Sequence, residues 1–86
     1  MITYSILKVR LEEAIISKYR GKLDQFTMDN VDSDVIQILG KLKAEKQIMD
    51  FERVKTYKDA NSVGVIIKAV VYVPLGKIGV SLKVQL

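Results

Sequence analysis

Cysteine and histidine are both absent from this chain of 86 residues. Without cysteine there is no disulfide framework and no thiolate ligand set. Without histidine the commonest metal ligand and the commonest general base are missing. Proline occurs once, and the glycines stand apart at positions 21, 40, 64, 76 and 79. No glycine cluster therefore precedes a helix to cradle a phosphate. No apolar run approaches the roughly 20 residues that span a bilayer, so no membrane partner is expected. Charges interrupt the amino-terminal MITYSILKVRLEEA where a secretory signal needs an apolar core, which points to synthesis in the cytoplasm. Ser17, Ser33, Ser62 and Ser81 have no histidine to activate them. Glu12 and Glu13 are adjacent and point to different parts of one helix. No catalytic residue, cofactor or enzyme activity is expected from this inventory.

Asp29, Asp32 and Asp34 are close enough in sequence to suggest a cation loop, but the glycine and terminal bidentate glutamate of an EF-hand are missing. Helix capping explains the cluster more simply, and no metal site is expected.

The length allows one domain, residues 1–86, with no room for a second core. From Tyr4 to Tyr19, the apolar positions Leu7, Leu11, Ala14, Ile15 and Tyr19 step by three and four, which predicts a helix with one buried stripe. Gly21 follows as a left-handed stop. Lys22 to Asn30 reads as a polar connection. Asp32 or Ser33 then caps a second helix, with Asp34 in its first turn and Val35, Ile38, Leu39 and Leu42 as its stripe. A strand is expected from about Asp50 or Phe51 to Tyr57, then a turn over Lys58 to Asn61 and a strand from Val63 to Val73. Pro74-Leu75-Gly76 ends that strand, since proline cannot donate to a ladder.

The last strand, Lys77 to Leu86, alternates cleanly. Ile78, Val80, Leu82, Val84 and Leu86 fall on one face, Lys77, Gly79, Ser81, Lys83 and Gln85 on the other. The expected fold is α+β in the order α-α-β-β-β. Two helices pack on one face of a small, mainly antiparallel three-stranded sheet that is open to strands from neighbouring subunits. An uncovered strand edge is a template for pairing with another chain, so assembly is the leading expectation. Its interface is Val80, Ser81, Leu82, Lys83, Val84, Gln85 and Leu86.

The net charge of +4 raises an anionic partner. The basic residues are scattered and interleaved with acidic ones, so a solvated surface is the simpler reading and nucleic acid is not the expected partner. The alternative function is a small basic nucleic-acid-binding α+β domain using Arg53, Lys55, Tyr57, Lys68 and Tyr72 on one sheet face.

Five stretches, in order, resemble the C-terminal domain of the sheath proteins of contractile phage tails and related injection systems. They are the helix from Val9-Arg10-Leu11 to Ile15 and Ile16, the cluster Lys18-Tyr19-Arg20-Gly21-Lys22-Leu23-Asp24, and the helix Ile38-Leu39-Gly40-Lys41-Leu42-Lys43-Ala44-Glu45. The strand entry Ile48-Met49-Asp50-Phe51-Glu52 follows. The long strand from Asn61-Ser62-Val63 to Val73-Pro74 then leads to Lys77-Ile78 before the alternating strand. The resemblance covers most of the chain, but the aspartate usual in the turn before Lys-Ile is absent here. Sheath subunits are also much longer than this chain. The resemblance implies a structural, self-associating subunit of a virion tail, assembled in the host cytoplasm as a ring or helix around a tail tube protein. It also implies contacts from Lys77 and Lys83 to the tube or a neighbour, and strand exchange between subunits.

Overall fold

The computed structural model describes residues 2–59 and 64–85. Helix α1 spans Tyr4–Tyr19, a short 3-10 turn Leu23–Gln25, and helix α2 Met28–Ala44. Strands β1 (Asp50–Lys58), β2 (Gly64–Val73) and β3 (Gly76–Gln85) follow. All pairing is antiparallel, in the spatial order β1-β2-β3. The α-α-β-β-β order and the α+β class are as the sequence predicts.

Helix α1 begins at Thr3, whose hydroxyl accepts from the Ile6 N–H at 3.4 Å. It buries Leu7, Leu11, Ile15 and Tyr19, a strict spacing of four whose stripe drifts round the helix as it advances. Ala14, expected in that stripe, is exposed. Gly21 adopts φ 78°, the left-handed stop expected of it.

The N-cap of helix α2 lies five to six residues before the expected caps. Thr27 is the N-cap, its hydroxyl accepting from Asn30 N–H at 3.3 Å. The Asn30 side chain donates to the Gln25 carbonyl at 2.8 Å and ties the 3-10 turn to the helix. Asp29, not Asp34, occupies the first turn, where a carboxylate meets the positive end of the helix dipole. Lys46 closes the other end at φ 62°, and Gln47 N–H reaches back to the Leu42 carbonyl at 2.9 Å, a left-handed cap without glycine.

Both helices cover one face of the sheet, α2 mainly over β1 and α1 over β3. That inner face carries Val65, Ile67, Ala69 and Val71 of β2 and Val80, Leu82 and Val84 of β3, all buried. Gly64 starts β2 where a Cβ would lie 2.6 Å from the Val84 carbonyl oxygen, so only glycine fits there. Strand β1 keeps step with β2 through a bulge. Glu52 pairs with Val70 and Lys55 with Lys68, which leaves Arg53 and Val54 together opposite Ala69. Arg53 takes the extra turn at φ 55° and Val54 packs inward against the core. The expected turn at Lys58 to Asn61 and the start of the second strand at Val63 lie partly outside the described residues.

Candidate assembly interface

Strands β1 and β3 are the two edges of the sheet, and the chain builds them differently. The β2–β3 hairpin closes on the pair Val73 and Gly76 across the two-residue turn Pro74-Leu75. The closing pair of such a hairpin is hydrogen-bonded, and bonded pairs then alternate along the ladder. Ile78, Val80, Leu82 and Val84 therefore spend their backbone groups on β2. Those of Lys77, Gly79, Ser81 and Lys83 turn to the open side. The Tyr4 hydroxyl donates to the Ser81 carbonyl at 3.1 Å, in agreement with that assignment. The β2–β3 register runs without a break from Gly64 and Gln85 to Val73 and Gly76, so β3 offers a regular edge ten residues long.

The β1 edge is broken. The Arg53 bulge interrupts its register, and bulges twist an edge away from a template geometry. The Phe51 N–H, which faces outward, is taken by the Asp50 carboxylate at 2.8 Å. Lys43 of α2 binds that carboxylate at 3.2 Å. The bond from Phe51 N–H, and then Lys43, hold the Asp50 carboxyl below its usual range.

The last strand is paired within its own chain, so Val80–Gln85 form an edge strand of the sheet rather than a loose arm. Val80, Leu82 and Val84 are buried in the chain's own core, so their side chains fix the strand to the helices. Ser81, Lys83 and Gln85 are exposed, and Leu86 lies outside the described residues. Lys77 is exposed. Lys83 binds the buried Asp59 at 2.7 Å and so has an internal role.

The outer face of the sheet gathers Lys55, Tyr57, Lys68 and Tyr72. Arg53 stands in the bulge at their margin. Lys55 faces Lys68, which faces Ser81. The Lys68 ammonium lies 5.7 Å from the centre of the Tyr57 ring, a cation–π contact. Tyr72 donates to Glu52 at 2.5 Å, and that hydrogen bond raises the Tyr72 pKa.

One polar cluster escapes sequence reasoning. Asp34 lies in the buried stripe of α2, where Tyr19 donates to its Oδ2 and Lys18 binds its Oδ1 at 2.6 Å. Burial, then the hydrogen bond and charge of Asp34, push the Tyr19 hydroxyl up to about 12. The available signal was position: Asp34 falls between Val31 and Val35 on the apolar stripe, and a buried carboxylate there needs donors. Among the described residues no group of three metal-ligating side chains converges. No helix there is long and apolar enough to cross a membrane.

Compared with models of known protein families, with curated proteins and with solved structures, the chain matches none of them.

Proposed function

We propose that the chain is a structural, self-associating domain that accepts a strand at the β3 edge, as in a contractile tail sheath. It works without catalysis. The observation that carries this reading is the contrast between the edges: β3 regular and backed by buried Val80, Leu82 and Val84, β1 bulged and capped by Asp50. A protein that avoids edge pairing blunts both edges. Here one is blunted and the other kept straight. Main-chain bonds to Lys77, Gly79 and Lys83, and to Ser81 once Tyr4 releases its carbonyl, give affinity, and the alternation of the added strand sets register. The sheath resemblance supplies the assembly class, a ring or helix around a tube in a virion tail.

Light scattering over a concentration series, with negative-stain images of the same samples, tests the proposal. The control variant is Gly79→Pro. A Cβ at Gly79 meets nothing within 4 Å, and proline at an outward position removes an edge donor without touching the β2 ladder. The expected result is a concentration-dependent oligomer for the parent chain and a folded monomer for the variant. A parent chain that stays monomeric at high concentration, or a variant that assembles equally well, overturns it.

A further inference from the structure

The outer sheet face carries a charge arrangement that the fold does not require and the β3 edge does not use. Lys55 and Lys68 sit directly opposite one another on β1 and β2. Like charges at facing positions destabilise a sheet. Among the described residues neither ammonium has a carboxylate within ion-pair distance. The four ion pairs of those residues join Lys18 to Asp34, Lys43 to Asp50, Arg53 to Glu52 and Lys83 to Asp59. Lys68 turns toward the Tyr57 ring instead. Ser81 continues the row on β3, so three side chains able to donate hydrogen bonds cross the sheet in one line. Ile66 and Val70, both half-buried, flank Lys68 on the same face, each two residues away along β2.

The geometry points to this face as a docking surface for a protein segment that presents one carboxylate between two apolar side chains. The carboxylate sits on the row Lys55, Lys68 and Ser81, and the apolar side chains rest on Ile66 and Val70. An extended segment has the matching repeat, because alternate residues of both strands recur at about 3.3 Å per residue along the chain. A second copy of this chain placed face to face would bring lysines against lysines, so the partner is a different, acidic surface. Nucleic acid fits less well. Tyr57 is the one aromatic on that face classed as exposed, at 47%, and Lys68 already lies against its ring, whereas base stacking needs two or three exposed rings. This inference stands independently of strand addition at β3.

The test is a titration of the isotope-labelled parent protein at low concentration, followed by amide chemical shifts. The probe is a capped peptide containing Leu-Thr-Glu-Thr-Leu, with the Gln analogue as control and a thymidine single strand as the nucleic-acid arm. Saturable shifts centred on Lys55, Ile66, Lys68 and Val70 are expected, lost with the Gln peptide. The double substitution Lys55→Gln and Lys68→Gln should weaken binding at least about tenfold, the loss of one charge-assisted contact. Lys68→Glu should restore binding to the peptide with Lys in place of Glu. Several results would overturn the inference. They are no saturable shift up to about 10 mM peptide, equal binding of the Gln peptide, shifts confined to the β3 edge, or tighter binding of the thymidine strand at the same lysines.

Discussion

The hydroxyl of Tyr4 donates to the carbonyl of Ser81 at 3.1 Å across 77 positions of sequence. It ties the first turn of α1 to the middle of the open sheet edge. Any strand added along the full length of β3 needs that carbonyl, so the tyrosine competes with the incoming backbone. A neutral exposed hydrogen bond is worth about 0.5–1.5 kcal/mol net. Tyr4→Phe should therefore strengthen self-association by up to about tenfold, while the urea unfolding midpoint moves little. Light scattering of both proteins at matched concentrations measures it. Unchanged or weaker association in the variant would show that the edge is not used for assembly at its centre.

Helix α1 and the three strands were legible because their signals are periodic and local. Four apolar residues at a spacing of four, closed by Gly21, describe one helix, and strict alternation from Ile78 to Val84 describes one strand. The start of α2 was hidden because Thr27 caps it without an acidic partner three residues on, within a polar stretch. Val31, four before Val35, was the apolar clue. The Arg53 bulge leaves no mark in an alternation count, since Glu52, Arg53 and Lys55 are all polar and only the pairing to β2 reveals the extra residue. The open edge was foreseen, but its contrast with β1 was not. That contrast depends on which backbone groups face outward, a property of register rather than of composition.

Tyr19 and Asp34 form the buried polar joint between the helices, and both are nearly inaccessible to solvent. Tyr19→Phe leaves the carboxylate with one donor fewer and should cost about 1–3 kcal/mol in urea unfolding at neutral pH. The same pair makes stability sensitive to alkali. The folded hydroxyl titrates near 12 against 10.0 for an ordinary tyrosine. Its contribution is thus complete below pH 10 and is lost as the pH rises through 12. Circular dichroism melts on either side of pH 10 should show this decline in the parent chain and less of it in Tyr19→Phe. Equal decline in both would assign the alkaline loss to other groups.

Thr56 lies on the inner face of β1 at 2% exposure, and among the described residues its hydroxyl finds no hydrogen-bond partner. A buried unsatisfied hydroxyl carries a desolvation cost of about 1–3 kcal/mol. Valine has nearly the same shape and suits a strand. Thr56→Val should stabilise the fold by about 1 kcal/mol, raising the urea midpoint without changing the slope. A destabilised variant would mean that the hydroxyl is satisfied after all.

Arg53 is the extra residue that breaks the β1 edge, and its removal should expose what the bulge prevents. With Arg53 deleted, Val54 alone faces Ala69, Phe51 and Thr56 keep their inward positions, and Glu52 and Lys55 stay outward. The fold should survive, relieved of a non-glycine residue at φ 55°. A left-handed residue of this kind costs about 1–2 kcal/mol. The deletion also straightens β1 into a second regular edge, and flat, regular edges recruit other strands. In the Gly79→Pro background, where β3 is blocked, the deletion variant should regain concentration-dependent association through β1. Sedimentation of the two proteins side by side decides the matter. If the deletion variant keeps its secondary structure and remains a monomer, the capping of Phe51 N–H by Asp50 is enough to protect that edge. The bulge would then serve only to seat Val54 in the core.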